Sequence, residues 1–578
     1  MGIAPASKSR TLMWFYSLFI LLFFLFFTFH GLEAQFTFDD GTTVIAVLRF
    51  FETPFWRDLL NIVTVFTSAF RPLTTLFWKP LYAMFGFNPL PYRIVVHLLL
   101  MANLPLVYVW ARRLDASREA AALATLVFCY NASMLDLFYD TCLVGDVMCF
   151  LFYGLAFVAF VRGRLIWTVV CFLLALDSKE QAVTLPAMLL LYVVMFRFGD
   201  LRDPSKALRL LWFPVAGLLA DAAYLHVKVA DMSRNPNYNP HVSVGFVLKN
   251  IAHNVEQLMY FPQESITPLL AFVILGSLVG VGALLRSRQT VFGVLFFIAT
   301  LIPIAVIHPR GGYAAYIPYF GLSLALAAIV NGVREILFGR WETAGAVGLF
   351  VGVALLLGWA HLVQRAGGVA YLEWANPPLD AMLKGFQENI PDFPPGARVL
   401  LTGDNWEPEW GPMFLVRLMY HDNSIWVDRP KNMDHPPDPM AYDAVVAFTP
   451  PAVTVVPARL NRHISISWEM RGSVSGPGQF LVSSPHAQGA ASQLKFTPNQ
   501  VRKGERVTVS VPGLSDVAVN VLYRQKSAPH LIEGWCTLDS TGTCKITAPY
   551  EAGAMFVDWI QPVGRRWIFT SGVLKITE

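Results

Sequence analysis

The chain has 578 residues, 55% hydrophobic and only 15% charged, with a mean hydropathy of +0.48. Soluble domains carry roughly 25% charged residues, so the composition excludes an ordinary soluble protein and points to the membrane. The formal net charge of +4 is spread as short Arg/Lys clusters between apolar runs, a pattern that reports membrane topology and excludes nucleic acid as a partner.

Lys8 and Arg10 precede an apolar run from Leu12 to Phe29. The run is longer than a signal-peptide core of about 7–15 residues, and Leu32-Glu33-Ala34 is not a small-x-small cleavage site. It reads as an uncleaved first span with a cytoplasmic N-terminus. Just beyond it stands Phe36-Thr37-Phe38-Asp39-Asp40-Gly41. Two adjacent carboxylates at a membrane surface mark an ion path or an active site, or else they cap the next helix. The rest of the loop over 30–93 is apolar-rich at Ile45–Phe66 and Leu73–Phe87, as for helices lying in the interface.

Further apolar segments recur near 94–111, 119–135, 143–161, 165–177, 182–197, 209–226, 266–285, 290–307, 314–333 and 344–362. With the first they predict about eleven transmembrane helices. Basic clusters follow in alternate loops: Arg112-Arg113 with Arg118, Arg162 with Arg164, Arg197 with Arg202 and Lys206, Arg286 with Arg288, and Arg334 with Arg340. All fall on the side of Lys8 and Arg10, which the positive-inside rule makes cytoplasmic. That places Asp39-Asp40 outside, and an odd number of spans places the C-terminal tail outside as well. A second large outer loop, Lys228–Gln263, carries His241 and a predicted helix near Val244–Met259.

The predicted organisation is a transmembrane domain over 1–365, an outer α/β region over 366–490 and an outer β-sandwich, Ig-like, over 491–578. Arg398–Thr402 and Ala444–Phe448 read as short buried strands, and Arg506–Val511 and Val517–Leu522 alternate as sandwich strands do. Cys129, Cys142, Cys149 and Cys171 lie in or beside spans and read as packing residues. Cys536 and Cys544 flank the Asp539–Gly542 turn and could close a disulfide across a hairpin in an oxidising compartment. No Cys/His spacing reads as a zinc site, and no nucleotide-binding fingerprint is present.

The unusual polar residues of the outer side are Asp39, Asp40, Arg71, Lys79, Asp140, Asp146, Lys179, Glu180, His308, Arg310, Tyr313 and Tyr316. Singly each has a bland reading: Asp146 as a wetted span end, Lys179-Glu180 as an ion pair within one turn, Arg310 as a snorkelling side chain. Acids and bases on one membrane face favour a joint role.

The order of these motifs resembles the GT-C integral membrane glycosyltransferases, and more narrowly the branch of the protein O-mannosyltransferases and transmembrane O-mannosyltransferases. The matching pieces are Phe38-Asp39-Asp40 after the first span, Arg71-Pro72-Leu73-Thr74, Phe85–Pro89 leading to Tyr92 and His97, Ser178-Lys179-Glu180 with Thr184-Leu185-Pro186, and Arg310 with Tyr316–Gly321. They cover about residues 10–335. The family's Arg-x-Asp pattern at span four is present only as Gly145-Asp146, and no tetratricopeptide tail follows.

The resemblance implies a bacterial inner-membrane enzyme with its tail in the periplasm. It would move a sugar from a polyprenyl-phosphate donor to a hydroxyl of a protein, lipid or glycan acceptor, with inversion. A hydroxyl needs a carboxylate to take its proton, the part expected of Asp39 or Asp40. The phosphate leaving group needs cations, for which Arg310, Lys179, Arg71 and His308 are the candidates, supported by Asp146, Glu180 and Tyr316. A divalent metal is compatible with these carboxylates but not specified by them. The alternatives are a transporter or lipid flippase, for which Asp221 is the main mid-span acid, and a membrane-anchored sensor.

Overall fold

The computed structural model describes residues 5–37, 55–63, 71–232, 240–338, 342–390, 393, 397–402, 411–422, 424–433, 442–449, 452–456, 464–469, 477–482, 495–502, 505–510, 518–525, 528–537, 539–547, 553–563 and 566–577. Asp39 and Asp40 lie outside them. The chain divides into two compact units, Met1–Phe36 with Phe50–Ala370, and Thr37–Arg49 with Tyr371–Glu578.

The described part of the first unit is helical. In chain order it comprises α1 (Pro5–Thr28), α2 (Phe55–Val63), α3 (Pro72–Phe85), α4 (Pro89–Arg113), α5 (Arg118–Phe128), the single turn α6 (Asp136–Tyr139), α7 (Val144–Val161), α8 (Leu165–Ser178), α9 (Leu185–Phe196), α10 (Pro204–Met232), α11 (Val244–Leu258), α12 (Pro268–Leu284), α13 (Arg288–Ala305) and α14 (Tyr316–Phe338). Helix α15 (Glu342–Asn389) contributes residues to both units. Local chemistry sets many of the starts. Ser117, Thr267 and Ser287 accept the backbone N–H of Ala120, Leu270 and Thr290 at 3.0, 3.2 and 3.2 Å, the N-cap that an isolated helix end requires. Pro89 and Pro268 stand in first turns, where a missing N–H costs nothing.

Among the described residues, seven helices are long and apolar enough to cross a membrane: Thr11–Glu33, Pro89–Arg113, Thr141–Val161, Pro204–Leu225, Arg288–Ala305, Gly312–Leu337 and Ala344–Arg365. Leu165–Ser178, Glu180–Phe196 and Pro268–Leu284 are shorter apolar helices. The protein is thus a polytopic helical membrane protein, but helix length does not carry the full count of eleven crossings. The segment expected to span at 119–135 forms only α5, 11 residues and about 16 Å long, against a hydrocarbon core of about 30 Å. Its residues from Ala120 to Phe128 are all buried within the protein. Helix α3, expected to lie in the interface, also buries most of its side chains in protein.

Two kinds of contact hold this unit. Small residues let backbones approach: a Cβ on Gly293 of α13 would lie 2.4 Å from the Gly321 carbonyl of α14, and one on Gly321 2.5 Å from that of Gly293. Only glycine at both positions permits this crossing, the general device of helix packing in lipid. Aromatic rings fill the wider gaps: Trp110 of α4 stacks on Phe320 at 3.9 Å and 15°, and packs against Phe157 and Phe296. Short turns at 162–164, 179–184, 285–287 and 306–315 join successive helices. This alternation puts Arg162, Arg164, Arg197, Arg286 and Arg288 at one set of helix ends. Asp146, Lys179, Glu180, His308 and Arg310 stand at the other.

In the second unit α16 (Gly411–Tyr420) accompanies fourteen described strands in three sheets. The first is a six-stranded sheet. The expected strands form there as β1 (Arg398–Thr402) and β3 (Ala444–Thr449), with β2 (Trp426–Asp428), β4 (Ala452–Val456), β5 (Ile464–Glu469) and β6 (Pro477–Val482) in the order β2-β1-β3-β4-β6-β5. β1 is parallel to β2 and β3, whereas β3 turns back antiparallel into β4.

Beyond them come β7 (Lys495–Thr497), β8 (Gln500–Arg502), β9 (Arg506–Ser510), β10 (Ala518–Gln525), β11 (Ala528–Thr537), β12 (Thr543–Thr547), β13 (Gly553–Val563) and β14 (Arg566–Thr577). They form a five-stranded sheet, β11-β10-β13-β14-β8, and a three-stranded sheet, β12-β9-β7. Cys544 is disulfide-bonded, but the expected hairpin is not there. Cys536 is on β11 and Cys544 on β12, in different sheets, so the Asp539–Gly542 turn passes the chain from one sheet to the other.

Candidate functional site

Four of the polar residues predicted for one membrane face, Arg71, Asp146, Lys179 and Glu180, converge where α3 and α9 approach α7 and α8. Arg71 precedes α3 in a left-handed conformation, φ 48° and ψ 60°, which costs a non-glycine residue about 1–3 kcal/mol. Its carbonyl accepts from the backbone N–H and the hydroxyl of Thr74, at 3.0 and 2.8 Å. Its side chain forks onto the Glu180 carboxylate: Nε donates at 3.2 and 3.3 Å and Nη2 at 3.0 Å. The bidentate guanidinium–carboxylate arrangement is the strong form of the ion pair. Burial works against the Glu180 charge, but the neighbouring Arg71 outweighs it and holds the carboxyl below its ordinary value of 4.5. The contribution of the pair is therefore complete above pH 4.5 and is lost only as acid carries the pH through that lowered value.

The second pair lies alongside. Asp146 is in the first turn of α7 and Lys179 just past the last turn of α8. Helix dipoles favour an acid at the first position and a base at the second. Lys179 Nζ donates to Asp146 Oδ1, with the side chains 15% and 2% exposed, and the ammonium lies 5.8 Å from the centre of the Tyr313 ring. Gly145 allows the two pairs to meet. A Cβ there would stand 3.0 Å from the Ser178 carbonyl, 3.4 Å from Thr74 and 3.9 Å from Arg71 Cδ.

Lys179 and Glu180, adjacent in sequence, thus do not pair with each other. Each reaches a partner elsewhere in the chain, and the quartet of two cations and two anions is neutral. The remaining predicted residues are spread around it. Arg310 is half-buried in the loop after α13, whose Gly311-Gly312 backbone runs against Ser133 and Asp136. His308 is exposed, its ring 5.1 Å from His241 and 6.2 Å from Phe246. Asp140 accepts from the Cys142 N–H and caps the turn before α7. Lys79 is half-buried on α3. Tyr316 lies in the helical core: its ring packs on Phe128 and Phe150 at 4.9 Å each, and its hydroxyl accepts from Asn103.

Sequence reasoning did not single out Asp136, which joins this face through the Gly311 loop. The Phe36 ring is fully buried, packed on Tyr92 and Phe87 at 5.2 and 4.9 Å. Next to it, buried Arg93 donates to the Gln35 carbonyl at 2.7 Å. These contacts fix the chain immediately before the stretch that holds Asp39 and Asp40. Among the described residues no group of three or more His, Cys, Asp or Glu gathers to hold a metal ion.

No protein-family model matches the chain, and no curated protein does. Among solved structures it is similar to a crystal structure of the Archaeoglobus fulgidus oligosaccharyltransferase in complex with Zn and sulfate. The two share 12% identity and a TM-score of 0.31, over 84% of this chain and 86% of that one. At that TM-score the likeness carries no functional argument.

Proposed function

We propose that the protein is a membrane glycosyltransferase that moves a sugar from a polyprenyl-phosphate donor to an acceptor hydroxyl at the outer face of a bacterial inner membrane. The observation that carries this reading is the paired quartet Arg71–Glu180 and Lys179–Asp146. Four charged residues from three separate parts of the chain gather at the ends of apolar helices, Asp146 buried and Arg71, Lys179 and Glu180 half-buried, where keeping them is costly without a function to serve. They stand at helix ends and not at mid-helix, which favours chemistry at the membrane surface over passage through it.

In this scheme Asp39 or Asp40 accepts the proton of the acceptor hydroxyl as its oxygen attacks the anomeric carbon. The bond to the donor phosphate breaks in the same displacement, inverting the centre. The phosphate leaves as an anion. Arg310, His308, Lys179 and Arg71 supply the positive charge it needs, with Asp146 and Glu180 holding Lys179 and Arg71 in place.

The direct test is transfer from a panel of radiolabelled polyprenyl-phosphate sugars in membranes, comparing wild type with Arg310→Ala. Transfer from one member of the panel is expected, with weaker donor binding in the variant because a phosphate partner is gone. If no member of the panel donates to any hydroxyl acceptor, the enzyme reading fails.

The orientation has its own check. Reporter fusions after Arg113 and after Glu578 are expected to read cytoplasmic and outer respectively, following the basic clusters. A cytoplasmic signal from the second fusion would change the parity of the spans.

A further inference from the structure

A cavity of about 270 Å³ opens between α1, α4 and α5, among Met13, Tyr16 and Ser17 of α1, Leu104 and Tyr108 of α4 and Thr125 of α5. A water occupies about 30 Å³ of liquid, so a segment of hydrocarbon chain fits. The walls are mostly apolar, and Ser17 is exposed where the cavity opens sideways between helices. The hydroxyls of Tyr16, Ser17, Tyr108 and Thr125 break the apolar lining. Tyr108 donates to Met13 Sδ at 3.3 Å. The Tyr16 hydroxyl is buried and makes no hydrogen bond among the described residues, an arrangement costly enough to imply an acceptor from outside the chain.

The mouth is charged. Helix α4 ends in Arg112-Arg113 and α5 begins at Arg118, one to two turns from the cavity wall, with Arg112 and Arg118 exposed and Arg112 also donating to the Ala116 carbonyl. On α14, Arg334 pairs with Glu335 at 3.4 Å. From the end of α4 to the start of α5, Arg112, Arg113 and Arg118 thus outnumber Asp115 and Glu119 where an apolar slot meets the membrane surface.

We propose that this cavity is a binding site for one anionic phospholipid of the leaflet opposite the charged quartet. An acyl chain lies between α1, α4 and α5, an ester carbonyl accepts from the Tyr16 hydroxyl, and the phosphate is held by Arg112 and Arg118. Charge complementarity selects the occupant. A zwitterionic lipid offers the same chains but gains less from the cluster, since basic residues beside a membrane favour anionic headgroups.

The test uses the purified full-length chain and a phosphatidylglycerol carrying a photoactivatable acyl chain, with adducts mapped by peptide mass spectrometry. Adducts are expected on 13–21 of α1 and 101–108 of α4. Unlabelled phosphatidylglycerol should compete at least about tenfold better than phosphatidylcholine of the same chains. Ser17→Phe, which fills the slot, should remove the adducts. Arg118→Gln, at an exposed position, should weaken competition by phosphatidylglycerol without moving the adducts, and it carries the test if Ser17→Phe does not fold. Adducts spread over all lipid-facing helices, or equal competition by phosphatidylcholine, would overturn the proposal. So would polyprenyl phosphate displacing the probe better than phosphatidylglycerol, since the occupant would then be a donor tail.

Discussion

Asp39→Asn is expected to lower sugar transfer by about 10²–10⁴-fold while donor-lipid binding is largely retained. Asparagine keeps the size of the side chain and most of its hydrogen bonding but cannot take a proton from the acceptor hydroxyl. Asp40→Asn is expected to reduce transfer as well, through positioning of the acceptor, so a binding measurement must accompany each rate. The informative contrast is with Arg310→Ala, where donor binding weakens because a phosphate partner is lost. If both single asparagine variants transfer sugar at the wild-type rate, the two acids are only a helix cap and the proposed mechanism has no base.

Much of the membrane unit was legible because apolar length is written directly in the sequence. Segments such as Pro268–Leu284 announce themselves by composition and by a Thr267-Pro268 start. The alternation of basic loops then sorted helix ends into two sets, and the structure keeps Asp146, Lys179 and Glu180 together at one of them. Composition misled at 119–135, where an apolar run is equally the mark of a short helix wrapped in protein, as α5 is.

Pairing was not legible. Nothing local says that Arg71 reaches Glu180 across 109 residues, or that Lys179 turns from its neighbour to Asp146. A left-handed Arg71 and a glycine at 145 enable both contacts, and neither has a periodic signature. Tyr316 shows the opposite limit. It sits in a motif beside Arg310, yet the first turn of α14 points its ring into the core against Phe128 and Phe150.

Asp146→Ala is expected to destabilise the membrane unit by about 3–5 kcal/mol, because it strands the Lys179 ammonium where little water reaches it. Lys179→Met alone should cost a similar amount by stranding Asp146, which is the more deeply buried of the two. The double variant, with neither charge left, should recover most of that stability, since removing both partners spares the desolvation of a lone ion. Thermal unfolding of the four proteins in one detergent gives the cycle. Sugar transfer measured on the same proteins then separates architecture from chemistry. Stability should return in the double variant while donor affinity stays low, because Lys179 also supplies charge toward the donor phosphate. Wild-type affinity in the stable double variant would reduce the pair to a scaffold and leave the phosphate to Arg310 and His308. Losses in the two single variants that simply add in the double would mean that the two side chains do not act as a pair at all.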